Sequence, residues 1–424
     1  MLRRHFLLPA GFQSDEAYFR LKLFALWMLC IFRFCLLQLL AQRSQKEDGI
    51  NGVTEKSFTV SELGPINLPL KALERLFVHR SGKCKNKHIP LAVFKQHCEK
   101  ILAMLDDAII IDTYVRMFSA ETDENMVTPE GLRCLLYTSY KLSMDHYPEG
   151  PQTCLMINKT LSSVVNGCFN NKDAHSIGFV VRWLEEHCHR LIFPVHRYCV
   201  HMLATRHRDM AASLESSGSG AGLELATPVL ERSAWQAASA LLPVSAAWLL
   251  AGTAPPLYSR PSGPPPPHAG GLASAAWLAR LVCAVPSHWA PLYASRDHGL
   301  GANRFLHHTL AYRGPTLVLI QAADITIVVC ASCEWRETHQ YWGGPDCALT
   351  YLPSFMVVEK APKMLYLNTS IRGYPKGLRA GSDPRKPLLS IPEDFDSFTF
   401  NGVPYSLQAI EVTLSRPFPV FLLP

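Results

Sequence analysis

Three histidines stand close together in "RDHGLGANRFLHHTLAYRGPTLVLIQ" (residues 296–321), namely His298, His307 and His308. Imidazoles at that density could act as general bases or hold a transition metal, because the neutral ring is both basic and a good ligand near pH 7. A second constellation is made of sulfur. Cys330 and Cys333 form a Cys-x-x-Cys pair, and Cys347 follows a Gly-Gly-Pro turn in "YWGGPDC". A third, "EEHCHRLIFPVHRYCVHM", carries His187, Cys188, His189, His196, Cys199 and His201.

The elements that must position these groups argue against chemistry. His307 and His308 are neighbours on a helix expected over "RFLHHTLAY" and cannot both face inward. Phe305, Leu306 and Leu310 are its expected inward face, Asn303 its cap, and Gly299 and Gly301 relieve the turn before it. The run from His187 to His201 follows no zinc-ligand spacing, so core and surface histidines are the expectation there. Cys330 and Cys333 fall in an expected strand, where residues three apart face opposite sides. The chain has no Gly-x-Ser-x-Gly elbow, no paired HExxH helix and no phosphate-cradling glycine loop. We expect no catalytic residue, no metal ligand set and no cofactor. Cys347 is the candidate redox thiol, with a buried structural role as the plainer reading.

Composition bounds the class. The chain has 424 residues, 48% hydrophobic and 18% charged, so it is globular with room for two or three domains. A formal net charge of +6 permits contact with acidic proteins or anionic lipid but lacks the clustered basicity of a nucleic-acid binder. Thirteen cysteines, an odd number spread over a long chain, fit a reducing compartment, and a cytoplasmic location is expected. Residues 23–40, "LFALWMLCIFRFCLLQLL", approach the length that crosses a bilayer. Arg33 near the middle costs roughly 2.5–3.5 kcal/mol on insertion, and basic residues flank both ends, so a buried or interfacial helix, a membrane anchor and an atypical start with no structural role all stand as readings.

Four regions follow: an N-terminal segment (1–57), a helical domain (58–208), a flexible linker (209–229) and a C-terminal domain (230–424) with a proline-rich insertion at 254–271. In the helical domain Leu105, Ile109, Met117 and Phe118 recur near helical spacing, as do Leu132, Leu135 and Leu136. Between these runs lies the acidic loop "SAETDENMVTPEG". Helix, acidic loop, helix is the layout of an EF-hand, so the calcium ligands can be tested. With Val127 at the loop's hydrophobic eighth position, Ala120 takes the first ligand position and Gly131 the twelfth, where Asp and Glu belong. An earlier loop, "SGKCKNKHIPLAVF", sets Ile89 in the eighth position and offers lysines in place of carboxylates. Both read as EF-hand-like units that do not bind calcium. Farther on, "WQAASALLPVSAAWLLAG" is an apolar helical stretch interrupted at Pro243, and "APPLYSRPSGPPPPHAGG" should be extended.

After residue 272 one helix, "ASAAWLARLVCAV", precedes short β-branched or aromatic runs: "PTLVLIQ", "DITIVVCAS", "CALTYL", "FMVVEK", "MLYLNTS", "DSFTFNG" and "LQAIEVTL". Their spacing predicts a mostly antiparallel sandwich capped by helices. Here a resemblance becomes specific. "WAPLYASRDHGLGANRFLHHTLAYRGPTLVLIQ" resembles the opening of a TLDc domain. Later landmarks keep that family's order: Ala331-Ser332 with Trp335, Tyr341 to Cys347, Tyr366-Leu367-Asn368, Gly377-Leu378, Glu393-Asp394-Phe395 and Ile410 to Val412. The likeness spans roughly residues 230–414. It departs from the family pattern at Ile327-Val328, around Ser390-Ile391-Pro392 and in the ending "LSRPFPVFLLP". The domain order resembles an EF-hand-bearing branch of the family, although Leu2 stands where that branch carries a myristoylated glycine.

The expected fold class is therefore α+β, an all-α EF-hand-like module followed by a TLDc β-sandwich with flanking helices. The resemblance implies a non-catalytic adaptor acting at lysosomal membranes in mTOR signalling, or binding the vacuolar proton pump (V-ATPase), with a link to oxidative-stress resistance. Its partners would be pump subunits or mTOR-pathway proteins, with peripheral membrane contact and no nucleic acid. A thiol-based antioxidant enzyme using Cys347 is the alternative. The residues expected to form an interaction surface are Arg304 and Arg313, together with the basic run Lys360, Lys363, Arg372, Lys376, Arg379, Arg385 and Lys386. That run faces only two acids, Glu359 and Asp383, over the same residues.

Overall fold

A computed structural model describes residues 106–120, 125–143, 156–196, 241–258, 289–323, 325–352 and 356–414, with residues 123 and 199 and short pieces between 45 and 104. The apolar stretch 23–40, the linker 209–229 and the helix expected at "ASAAWLARLVCAV" lie outside the described residues. Among the described residues no helix is long and apolar enough to cross a membrane. Contacts divide the chain into two compact units. One holds Met1–Thr113, Val195–Thr227 and Pro265–Cys283; the other holds Tyr114–Pro194, Pro228–Pro264 and Ala284–Pro424. In the first unit, β1 (Gly52–Thr54) and β2 (His88–Pro90) form an antiparallel ladder with Val53 opposite Ile89.

The helical part is built from two similar units. In the first, α1 (Asp107–Met117) leads through β3 (Met126–Val127) into α2 (Pro129–Ser143). In the second, α3 (Ile157–Phe169) leads through β4 (His175–Ser176) into α4 (Ile177–His187). The two strands pair antiparallel, Val127 opposite His175. Local chemistry fixes these boundaries. Thr128 Oγ1 accepts the Gly131 N–H at 3.1 Å while Pro129 supplies the first helical residue of α2, and Ser176 Oγ accepts from Phe179 N at 3.4 Å to cap α4. Asn170, in the left-handed region at φ 45°, stops α3. Leu132, Leu135 and Leu136 are buried as their spacing predicts. Ile109 is not: it is 54% exposed, and Ile111, Tyr114, Val115 and Phe118 form the inward stripe instead.

Pro243 stands at the N-cap of α5 (Val244–Thr253), where its missing N–H costs nothing. This helix packs on α2. Trp248 Nε1 donates to Ser143 Oγ at 3.2 Å, and its ring meets Tyr140 edge-on at 5.4 Å. The chain then turns through a 3-10 helix at Pro256–Tyr258, so the start of the proline-rich insertion is packed rather than extended. Tyr258 is fully buried; its carbonyl accepts Trp289 Nε1 at 2.8 Å and its hydroxyl donates to the Asp346 carbonyl at 3.0 Å. The rest of that insertion lies outside the described residues.

Two antiparallel sheets follow. The six-stranded sheet has the order β5 (Ala290–Ala294), β15 (Ala409–Leu414), β6 (Thr316–Gln321), β7 (Thr326–Ala331), β8 (Ala348–Leu352) and β9 (Met356–Lys360). The five-stranded sheet runs β10 (Leu365–Asn368), β11 (Gly377–Ala380), β12 (Leu389–Ile391), β13 (Ser397–Phe400) and β14 (Val403–Ser406). Between β5 and β6 sit α6 (Ser295–His298) and α7 (Ala302–Thr309). The side-chain alternation of β13 buries Phe398 and Phe400 and leaves Ser397 and Thr399 outside. Strands β11, β12 and β14 are short and carry Arg379, Ser390 and Pro404, so no apolar run announced them.

Aromatic rings fasten the sandwich core. Phe305 meets Trp335 edge-on at 5.3 Å, and Trp335 meets Trp342 the same way at 5.4 Å. Phe305 also touches Tyr293 and Phe395. Trp335 Nε1 donates to Thr316 Oγ1 at 2.8 Å, which satisfies both buried groups. Two expectations for α7 fail. Asn303 lies inside the helix with Gly301 at its cap, and Leu310 is 39% exposed because it is already past the last helical turn.

Candidate functional site

The three histidines do share one neighbourhood. The His298 and His308 rings lie 4.0 Å apart by centroid, those of His307 and His308 5.2 Å apart, and Tyr293 flanks His298 and His308. His298 Nδ1 accepts the Ala294 N–H at 3.1 Å. That bond uses the Nδ1 lone pair and leaves the proton on Nε2, the tautomer that cannot ligate a metal through Nε2. Burial, with His298 and His307 beside it, lowers His308 below the usual imidazole range. Among the described residues no group of three or more His, Cys, Asp or Glu could hold a metal ion. In the run after α4, Cys188 and Cys199 are buried, and burial, with Arg190 and Lys360 near, lowers His189 to about 4. His201 lies outside the described residues.

Arg304 is exposed and is also tied to this turn. Its guanidinium donates to the His298 carbonyl. Gly299, at φ 82°, leaves the space the guanidinium occupies, since a Cβ there would stand 2.1 Å from Arg304 Nη1. Arg313 has its side chain 88% exposed and 3.8 Å from Glu334, an ion pair worth little in water.

The basic run is divided by the sheet register. Leu365 pairs with Ala380 and Asn368 with Gly377, so the turn at 361–364 and the loop at 381–388 share one end of the five-stranded sheet, and 369–376 lies at the other. At that far end Lys376 pairs with Glu393 at 2.7 Å, and Arg372 is exposed beside it in sequence. Arg379 sits mid-strand and half-buried next to Tyr341, not in an exposed loop. Lys360 donates from Nζ to the Glu186 carbonyl at 3.4 Å, placing a cation at the C-terminus of α4 where the helix dipole favours it.

What remains at the near end is Lys363, Arg385 and Lys386. Gly381 N donates to the Met364 carbonyl at 2.9 Å and joins the two loops. The acids there are spent on backbone and hydroxyl groups. Glu359 accepts from Ser382, through both N–H and hydroxyl, and Asp383 accepts the Arg385 N–H at 2.9 Å. All three cations are exposed, and none of their side chains is held in an ion pair among the described residues.

Cys347 is fully buried. Its sulfur accepts the Gly344 N–H at 3.3 Å and lies 3.3 Å from Ser332 Oγ. The paired glycines allow that approach: a Cβ on Gly344 would stand 2.5 Å from Ser332 Oγ, and one on Gly343 3.1 Å from the sulfur. Cys330 is buried in β7, where burial together with Cys347 pushes its thiol up to about 12. Cys333 is not in a strand, because β7 ends at Ala331; it is half-buried in the following loop, and burial and Cys347 raise its thiol. Sequence reasoning missed Ser332 as the group between these sulfurs, since nothing local marks a serine that meets a residue 15 positions away.

The class defined by this geometry is an antiparallel two-sheet sandwich with flanking helices, with three exposed cations gathered at one end of the five-stranded sheet and with Cys330 and Cys347 buried. A TLDc domain is found at residues 269–408, about a third of the chain. No curated protein matches the chain.

Proposed function

We propose that the protein is a non-catalytic adaptor whose TLDc sandwich binds an acidic protein partner through Lys363, Arg385 and Lys386. The carrying observation is that these three cations share one end of the sheet while the nearby acids serve backbone groups. The three cations outnumber the two acids there and form no ion pair with them among the described residues, and an excess of one sign steers an oppositely charged surface and sets its orientation. TLDc proteins are generally linked to oxidative-stress resistance. By resemblance the partners are vacuolar proton-pump subunits or mTOR-pathway proteins at the lysosomal membrane. The helical part is read as EF-hand-like because two helix–strand–helix units pair through Val127 and His175. Its role would be targeting without calcium.

A thiol-based antioxidant enzyme is the weaker reading. Cys347 is fully buried and so screened from a substrate, and the thiols of Cys330 and Cys333 are raised, which leaves little thiolate on those two near neutrality.

The test is direct binding of the full chain to purified proton-pump subunits, comparing the native chain with the triple variant Lys363→Glu, Arg385→Glu, Lys386→Glu. Affinity should fall at least about tenfold, with a matching loss of salt dependence and an unchanged thermal midpoint. Equal loss from Arg372→Glu at the other end, or no loss from the triple variant, would refute the assignment.

A further inference from the structure

We propose that Cys333 and Cys347 form an oxidation site, closing a disulfide across Ser332 when the protein meets a hydroperoxide. Ser332 Oγ lies 3.3 Å from the Cys347 sulfur, and Cys333 is the next residue in the chain. The Ser332 hydroxyl and Cys347 both act on the Cys333 thiol, so the two sulfurs share one neighbourhood. Both also belong to one side of the sheet: Cys347 is part of the sandwich core, and Cys333 packs against that core. Cys330 lies within electrostatic range of Cys347, but strand alternation turns it to the face opposite Val329 and Ala331, away from the sandwich core that Cys347 belongs to and Cys333 packs against. The pair is therefore Cys333 with Cys347, not the Cys-x-x-Cys read from the sequence.

Mobility and access differ between the partners in the way a disulfide site requires. Cys333 stands in a loop beyond the end of β7 and is half-buried, so an oxidant can reach it and its side chain can turn. Cys347 is held by the 344–347 turn, whose Cys347 N–H donates to the Gly344 carbonyl at 3.0 Å while Gly344 N–H donates to the sulfur. In the first step the Cys333 thiolate attacks one oxygen of hydrogen peroxide. The S–O bond forms, the O–O bond breaks, and the departing hydroxide takes a proton and leaves as water. The Cys347 sulfur then displaces the sulfenic oxygen as a second water and forms the S–S bond. Two thiols are oxidised and one peroxide is reduced. Because burial disfavours the Cys333 thiolate, the reaction is slow and stoichiometric.

The experiment treats the full-length chain with hydrogen peroxide, blocks free thiols and maps peptides without reduction. A reductant-sensitive peptide linking Cys333 to Cys347 should appear and be lost in Cys333→Ser. Cys330→Ala should leave it intact. Its rate of formation should rise about tenfold per pH unit below the thiol's pKa. Four results would overturn the proposal: Cys333 oxidised while Cys347 still accepts the blocking reagent, a link from Cys333 to Cys330, a link between two chains, or no loss of thiol at all. Since Cys347 lies in the core, the half-buried Cys333→Ser carries the test, with its thermal midpoint as the check on folding.

Discussion

The guanidinium of Arg304 donates to the backbone carbonyl of His298, and so spans the turn by which α6 hands the chain to α7. The same turn is held by Tyr293, whose hydroxyl donates to the Gly299 carbonyl at 2.7 Å, and by the Ala294 N–H on His298 Nδ1. Three side chains thus satisfy backbone groups that no helix or strand could pair. A stretch dense in potential catalysts is in this respect a joint.

Arg304→Ala should therefore lower stability by about 1–2 kcal/mol, the size of a lost charge-assisted hydrogen bond. Thermal unfolding of the full chain should shift down, while partner affinity per folded molecule stays constant. Gly299→Ala should act in the same direction, since φ 82° strains a Cβ and the guanidinium must leave. An affinity loss at unchanged midpoint would return Arg304 to the interface.

Trp335→Phe removes the donor to Thr316 and part of the edge-on contact with Phe305. Thr316 is fully buried, so its hydroxyl is left without that partner. We expect a loss of about 2–3 kcal/mol by chemical denaturation, and more for Trp335→Ala, in the range of about 3–5 kcal/mol. Loss smaller than about 0.5 kcal/mol for the Phe variant would show that the ring, not the hydrogen bond, does all the fastening.

Acid should weaken the fold through His189, which burial lowers from 6.5 to about 4. Above pH 6.5 folded and unfolded chains both keep this ring neutral. As pH falls through 6.5 toward 4 the unfolded chain takes up a proton that the folded chain refuses, so stability drops across that window. The loss reaches at most about 3 kcal/mol. His189→Gln should flatten the stability profile between those limits, and Lys360→Gln should raise the ring's pKa, read by proton NMR. An unchanged profile in the glutamine variant would place the acid sensitivity elsewhere.

Calcium should not bind tightly to the loop between α1 and α2. Ala120 and Gly131 occupy the positions where the first and last carboxylates of a calcium loop belong, leaving too few oxygens. Titration calorimetry of the full chain with calcium should show no micromolar site, and the thermal midpoint should not move with calcium or chelator. A micromolar heat signal would mean that another set of oxygens supplies the ligands.

The sequence by itself determined the local elements wherever a pattern had a period or a punctuation mark. Leu132, Leu135 and Leu136 marked the buried face of α2, Pro243 interrupted the apolar stretch that holds α5, and the apolar runs of β6, β7 and β15 were visible because strands buried on both faces need side chains of that kind. Val127 could be placed in its loop before its partner was known. Tertiary structure decided the rest. It chose His175 as that partner, split a basic run of seven into committed and free cations through the β10–β11 register, and brought Ser332 between Cys333 and Cys347. The physical reason is common to all three. Such contacts depend on strand register and loop closure between distant residues, and no local periodicity encodes which hydroxyl, carbonyl or carboxylate a side chain meets when the sheets close.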